Sequence, residues 1–375
     1  MRKFYKGLFI PIGLCLIFFG LNAAILIQSG EYLDVDQIIT KQLRTNGVYG
    51  SAFFQRENHY KQRLYEITKP QVVAVGSSRV MPLQAVDFTT PFGNLGSSRS
   101  SLSDKMDFSK ALLTKQKPAL VIFALDFWWF LGDGNATDHP EDPDNVHTTA
   151  SDIFNFFGWC VSGKINLHDI LAIVSGQSPN VGIAGIVDGD GFDRNGSYHY
   201  TSIVTGKKPA DKAFESDLEH IRDGGTIYAH GDKINSLQLQ NFISILDFYK
   251  KQRVDVVFFI PPVAPAVMDS MNKSGKYDYV KEFREKTASL AKDYNFQLYD
   301  FHDARKLGSS DCEFKDGHHG GEIVYKRILL DMAHKNEKLK PLLNVPELER
   351  TVEKYRGHAS TLDHEVDFLE LGCKK

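Results

Sequence analysis

The feature that most constrains the fold of this chain is a series of short apolar runs separated by segments of helical periodicity. Strands buried on both faces of a parallel sheet are near-continuous apolar runs, whereas amphipathic helices carry apolar residues at three- and four-residue spacing. Helical spacing is clear from Leu239 to Tyr249 and from Val324 to Met332. The runs that fit strands are Val72–Val75, a weak one near Phe92–Leu95, Leu120–Leu125, Val254–Ile260 and Gln297–Phe301. The pattern predicts an α/β domain over residues 71–335, with a three-layer parallel sheet covered by helices on both faces.

An apolar stretch near the N-terminus is the clearest sign of the compartment. Three basic residues precede an uncharged segment from Gly7 to Ile27, which is long enough to cross a bilayer. Apolar residues continue past Asn22-Ala23-Ala24, a faint cleavage site, so an uncleaved anchor is favoured, while a cleaved signal peptide and a buried core helix stay open. Because positive flanks stay in the cytoplasm, we expect residues 1–28 to form a cytoplasmic stub and a transmembrane anchor, with membrane contact through residues 7–27 and a periplasmic or extracellular main domain.

Three further segments organise the rest of the chain. Residues 29–70 are polar with scattered aromatics, which predicts a partly helical stalk. Clusters of Gly, Asp, Asn and Pro over about residues 132–208 predict a long insertion at the carboxyl edge of the third strand, where open α/β sheets bind ligands. Residues 336–375 are charged and amphipathic and predict a helical tail.

Charge and cysteine content exclude some classes of function. A formal net charge of −3 offers no basic surface, so we expect no nucleic acid partner. Cys15 lies in the apolar segment, and the other three cysteines are an odd set without metal-binding spacing, so no disulfide framework is predicted. We expect neither a metal nor a cofactor.

Two separated segments supply the groups for nucleophilic catalysis. Gly76-Ser77-Ser78-Arg79 follows the first predicted strand, and Asp316-Gly317-His318-His319 precedes a predicted helix. A serine hydroxyl is a poor nucleophile until a base takes its proton, and a carboxylate that orients an imidazole makes it a competent base. We therefore predict Ser78 as nucleophile, His319 as base and Asp316 as orienting acid. A tight turn, a structural loop and a metal pair at Asp316 and His319 remain as alternatives.

Two other strand ends carry residues of interest. Asp126 ends the third strand and precedes the aromatic run Phe127–Phe130, which is either a cover for the sheet edge or a sugar-stacking wall beside the serine. Pro261-Pro262 ends the Val254 strand and shapes the rim of the cleft.

Together these segments resemble the SGNH hydrolase superfamily. The membrane-anchored branch is the most similar, and it includes the teichoic acid D-alanylation and alginate O-acetylation proteins. The resemblance covers about Val72 to Met332 and implies a flavodoxin-like sheet. It also implies the catalytic roles already given for Ser78, His319 and Asp316.

The chain departs from the family pattern at the oxyanion hole. Arg99 stands where the second block of the family has a glycine, and Leu125 stands where the third block has an asparagine. Losing one donor to the oxyanion costs on the order of 3 kcal/mol in the transition state unless another group replaces it. We expect the Arg99 guanidinium to help hold the oxyanion or a negative part of the acyl donor. Candidate oxyanion or substrate residues are thus Arg79, Asn94, Arg99 and Asp126.

The resemblance implies an extracytoplasmic, serine-dependent acyl ester hydrolase or O-acyltransferase. Its partner would be an acylated or acyl-accepting polysaccharide of the envelope or an exported polymer, with a membrane-bound acyltransferase as a further partner, since tethering raises the local concentration of a membrane-borne donor. The alternative is an inactive SGNH-like protein that binds glycan or organises a polysaccharide-modification complex.

Overall fold

The computed structural model describes residues 2–53, 56–98, 101–132 and 149–373. By its internal contacts the chain divides into two units. The first comprises residues 1–60, 140–194 and 198–201, and the second comprises residues 61–139, 195–197 and 202–375. The predicted stalk and the predicted insertion both contribute residues to the first unit. Arg99 lies outside the described residues.

The second unit is built on a five-stranded parallel sheet, which confirms the predicted α/β class. In chain order the described strands are β1 (Val72–Val75), β2 (Phe92–Asn94), β3 (Leu120–Ala124), β4 (Gly191–Phe192), β5 (Tyr198–His199), β6 (Asp255–Ile260) and β7 (Gln297–Asp300). The sheet order is β2-β1-β3-β6-β7, while β4 and β5 pair separately in the first unit. All five predicted apolar runs are strands of this sheet. Counted along the chain, the sheet has the order 2-1-3-4-5 found in doubly wound α/β proteins.

Helices flank the sheet, and their buried faces follow the sequence periodicity. Phe242, Leu246 and Tyr249 are buried on one helix, and Ile328 and Met332 are buried on another. The described helices are α1 (Arg2–Ser29), α2 (Val35–Thr45), α3 (Glu57–Thr68), α4 (Leu102–Lys115), α5 (Ala150–Val161), α6 (Leu167–Ser175), α7 (Thr201–Val204), α8 (Glu215–Asp223), α9 (Ser236–Gln252), α10 (Pro265–Ser274), α11 (Asp278–Asp293), α12 (Glu322–Lys335) and α13 (Val345–Lys354). Because β1 and β3 are buried along their whole length, both faces of the sheet are covered.

Parallel pairing brings the carboxyl ends of the strands to one edge of the sheet. Ala74 of β1 lies opposite Asn94 of β2 and Ile122 of β3, and Ala124 of β3 lies opposite Phe259 of β6. The segments that follow β1, β3 and β6 therefore emerge side by side. Ser78, Asp126 and Pro262 lie in these segments.

A disulfide bond joins Cys312 to Cys373. No disulfide framework could be read from the sequence, because the two cysteines are 61 residues apart and only the fold brings them together. The bond attaches the end of the predicted tail, which contains α13, to the segment just before Asp316. Closing a loop of this length removes unfolded-state entropy worth about 4 kcal/mol.

Among the described residues of the first unit, helix α1 is long and apolar enough to cross a membrane. The window Ile12–Ser29 of α1 has a mean hydropathy of 2.0, and only 11% of this window is buried within the protein. Where α1 is covered, it packs on α5 and α6. Leu26 joins Ile153, Phe156, Ile165 and Ile183 in the small core of this unit.

Candidate active site

The turn after β1 makes Ser78, and not Ser77, the available hydroxyl. Residues Ser78–Val80 form one 3-10 turn, and the buried Ser77 caps it by accepting a hydrogen bond from the Arg79 N–H at 3.2 Å. Gly76 precedes the turn because a Cβ there would lie 2.8 Å from Val80 Cγ1 and 2.9 Å from Ala124 Cβ. Ser78 is half-buried, whereas Ser77 is buried.

Ser78, His319 and Asp316 form one continuous hydrogen-bonded row. Ser78 Oγ lies 2.8 Å from His319 Nε2, and His319 Nδ1 lies 2.7 Å from Asp316 Oδ2. The other carboxylate oxygen of Asp316 accepts the N–H groups of His318 at 3.0 Å and of His319 at 2.7 Å. Because the carboxylate accepts the Nδ1 proton, Nε2 is left as the acceptor for the serine hydroxyl.

The surroundings of His319 keep its imidazole neutral. Burial lowers the pKa of His319 to about 4; the charge of Asp316 opposes this shift, and the charges of His318 and Lys315 add to it. Although burial alone would raise the pKa of Asp316, the charges of His318 and His319 and the bonds it accepts hold it well below its usual range. At neutral pH the pair is therefore a carboxylate and a free imidazole base.

The surroundings of His318 favour its charged form, whereas those of His319 favour the neutral form. Its Nδ1 lies 3.1 Å from Asp217 Oδ1, and the second oxygen of Asp217 accepts the Gly317 N–H at 2.7 Å. Burial lowers the pKa of His318, but Asp316 and Asp217 outweigh burial and the net shift is upward. Asp217 lies on α8, 101 residues before His318, and no sequence signal linked the two.

Arg79 and Asp126 form a buried ion pair instead of facing substrate. Both side chains are 0% exposed, with Arg79 Nη1 3.1 Å from Asp126 Oδ1. Arg79 also donates to the Pro262 carbonyl, so the pair ties together the segments after β1, β3 and β6. Neither side chain reaches the surface, so these contacts do not favour the prediction of the two residues as oxyanion or substrate groups.

Asn94 is likewise committed to the backbone. Its side-chain amide donates to the carbonyls of Val80, Met81 and Leu83, and its oxygen accepts the Gly96 N–H at 3.0 Å. This residue holds the loop that follows Ser78, and its prediction as an oxyanion donor is not supported by the hydrogen bonds it makes.

Few donors remain for an oxyanion in the described part of the chain. Leu125 is fully buried, and its N–H donates to the Phe259 carbonyl at 2.8 Å. Within the described residues the Ser78 backbone N–H, the first of its turn, donates to no other group. It is therefore available to an oxyanion formed at Ser78. The proposed contribution of Arg99 stays a prediction.

The aromatic run after β3 is mostly core. Phe127, Trp129 and Phe130 are buried, but Trp128 is only partly covered. The Trp128 ring lies 6.3 Å from the His318 ring and beneath the Arg79 guanidinium at 5.4 Å. The partly exposed Trp128 ring thus lies beside the loop that carries His318 and His319.

The same loop contains a group of residues that can converge on a cation. The ligand atoms of Asp316, His318 and His319 lie within 4.8 Å of one another. Both ring nitrogens of His319 already contact Asp316 and Ser78, however. A metal at His319 would therefore have to replace one of those hydrogen bonds.

Compared with known proteins, the sequence matches no protein-family model and no curated protein.

Proposed function

We propose that this protein is an SGNH-type serine acyl ester hydrolase or O-acyltransferase that forms an acyl intermediate on Ser78. The observation that carries the proposal is the row Ser78–His319–Asp316, with contacts of 2.8 Å and 2.7 Å. This is the arrangement of nucleophile, base and orienting acid that acyl transfer requires.

In the first half of the reaction, Ser78 Oγ attacks the ester carbonyl carbon and its proton passes to His319 Nε2. The carbonyl oxygen becomes an oxyanion, to which the Ser78 N–H can donate. When the intermediate collapses, the bond to the leaving alkoxide breaks and His319 returns the proton to it. Asp316 stabilises the imidazolium that exists between these two steps.

In the second half, His319 takes a proton from an acceptor hydroxyl, which attacks the acyl-serine carbonyl. Ser78 then leaves and regains its proton from His319. Water as acceptor gives hydrolysis, and a sugar hydroxyl gives transfer. The Trp128 face beside the loop supports a carbohydrate acceptor, since sugar rings stack on partly exposed aromatic side chains.

Two features support a site of action outside the cytoplasm. The disulfide between Cys312 and Cys373 belongs to an oxidising compartment. The helix containing Ile12–Ser29 can tether the domain to a membrane, where a membrane-bound acyltransferase would present the acyl donor.

The test uses the full-length protein in detergent micelles. We expect a fluorophosphonate probe to label Ser78 and an activated acetyl ester to release acetate. Ser78→Ala should abolish both signals, whereas Ser77→Ala is the matched control, because the Ser77 hydroxyl is used to cap the turn. Labelling that survives in Ser78→Ala would overturn the proposal.

An inactive glycan-binding protein of a modification complex is the second candidate. It is favoured by the buried Leu125 and by Asn94, which together remove two potential side-chain donors from the oxyanion site. A folded wild-type protein that binds polysaccharide but gives neither labelling nor turnover would select this candidate.

The convergence of Asp316, His318 and His319 favours a metal-dependent hydrolase as a third candidate. It predicts turnover that chelator removes and that Ser78→Ala retains. The serine mechanism predicts the reverse on both counts.

A further inference from the structure

The first unit carries an apolar surface that the proposed catalysis does not use. Helices α5 and α6 expose large apolar side chains whose exposed fractions range from 43% to 71%. We call this set the α5–α6 surface: Phe154, Phe157, Val161, Leu167, Leu171 and Val174. Exposed apolar patches of this kind mark contact with a membrane or a partner.

The α5–α6 surface is continuous with α1. The Phe154 ring lies 6.0 Å from the Phe18 ring and 5.3 Å from the Phe19 ring, and the Phe157 ring lies 4.8 Å from the Phe18 ring. Phe18 and Phe19 both belong to the apolar window Ile12–Ser29. At the helical rise per residue, Phe18 is about 16 Å along the axis from Ser29.

The ends and the turn of the α5–α6 hairpin stay near the C-terminal end of α1. Asp152, in the first turn of α5, accepts from the Tyr32 hydroxyl at 3.4 Å. Gly176, just after α6, lies against the side chain of Gln28. Ile165, between the two helices, packs with Leu26. The hairpin is thus anchored at one end of α1, and its aromatic side chains reach toward the middle of the apolar window.

The polar groups of the hairpin fit the boundary between lipid and water. Asp169 is largely buried, and its carboxylate accepts the N–H of Asn166, the residue that caps the start of α6. Lys164, in the turn, lies with its Nζ 4.3 Å from the centroid of the Trp159 ring. Trp is enriched at membrane–water interfaces, and a lysine can extend its ammonium group out of the lipid.

We propose that residues 150–175 are an interfacial hairpin that lies in one leaflet of the bilayer crossed by α1, with the α5–α6 surface against phospholipid acyl chains. The protein would then hold the membrane by a spanning helix and by two helices lying beside it. Interfacial helices of this kind bury their apolar face roughly 5–10 Å into the headgroup and acyl boundary.

The experiment measures the depth of single fluorescent labels on the full-length protein. Cys15 and Cys160 are replaced by alanine, the Cys312–Cys373 disulfide is kept, and an NBD label is attached at Leu171→Cys. The matched control is Leu237→Cys on α9 of the second unit, because Leu171 and Leu237 are 58% and 57% exposed. Each protein is placed, one copy per disc, in nanodiscs of phosphatidylcholine and phosphatidylglycerol with or without doxyl-labelled phosphatidylcholine.

We expect the label at residue 171 to show blue-shifted emission and several-fold stronger quenching by doxyl lipid than the label at residue 237. Val174→Cys is a second reporter, so one poorly folded variant does not decide the result. Equal, weak quenching at residues 171 and 237 would overturn the proposal. So would shielding of residue 171 that appears only with two copies per disc, which would mean that a second protein molecule covers the surface.

Discussion

Asp316 and Asp126 are the same residue type in two loops of the second unit, yet they do different work. Asp316, in the loop between β7 and α12, is partly exposed and orients an imidazole that contacts a serine hydroxyl. Asp126, directly after β3, is fully buried and pairs with Arg79. A carboxylate becomes a candidate for catalysis when its partner can pass on a proton. A carboxylate whose partner is an arginine that stays charged stabilises the fold instead.

The largest effect should come from Asp316→Asn. An amide cannot hold the imidazole in the same tautomer or stabilise its charged form, so kcat should fall about 10⁴-fold. Acetate release by the full-length protein measures this effect. Retained activity in Asp316→Asn, with a fold unchanged by circular dichroism, would contradict the role of Asp316.

Asp126→Asn should act on stability. It leaves Arg79 charged and buried without its carboxylate, which costs about 3–5 kcal/mol of unfolding free energy. Urea titration in detergent measures the loss. The double variant Arg79→Met/Asp126→Leu should recover much of it, because no buried charge is left unpaired. A loss of kcat in Asp126→Asn without a loss of stability would favour the role of this residue at the oxyanion or substrate.

The pH dependence of activity and of stability should report on the surroundings of His319. His319 accepts a proton only when neutral, and its pKa is lowered to about 4, so kcat/KM should rise through pH 4 and stay level to pH 7. The same lowered pKa means that the unfolded chain binds this proton first. Its contribution to stability is therefore complete above about pH 6.5 and is lost as the pH falls toward 4. An acid limb near pH 6.5 would show that the site does not enclose His319.

The smallest effect should come from His318→Gln. The charge of His318 lowers the pKa of His319, so its removal should move the acid limb upward by less than about one pKa unit. Activity at pH 7 should stay within about tenfold of wild type, which corresponds to 1.4 kcal/mol. The comparison variant Asp217→Asn keeps His318 but weakens its charged form, and it should move the limb in the same direction by less. A downward shift in either variant would contradict the assigned charge.

The sheet was predictable because its signals are local. A strand buried on both faces is an apolar run in any tertiary context, and all five runs became neighbouring parallel strands. Ser78 and the pair Asp316 and His319 were singled out for a similar reason, since each belongs to a short segment at the end of an apolar run.

The roles of the residues around Ser78 and His319 could not be predicted in the same way. Arg79, Asn94 and Asp126 all stand at strand ends, as substrate-facing residues do, but each is paired with a group from another strand or loop. Sequence position tells which edge of the sheet a residue occupies. It does not tell whether the side chain turns inward to a partner or outward to substrate.

The sequence by itself determined the α/β sheet, the apolar N-terminal helix and the serine and Asp-x-x-His segments, because periodicity and short motifs act over a few residues. The tertiary structure decided that Ser78 meets His319, that Asp217 holds His318, that Cys312 pairs with Cys373, and that Arg79, Asn94 and Asp126 support the site from within. The physical reason is distance along the chain: hydrogen bonds, ion pairs and disulfides join groups tens to hundreds of residues apart, and only chain folding brings those groups together.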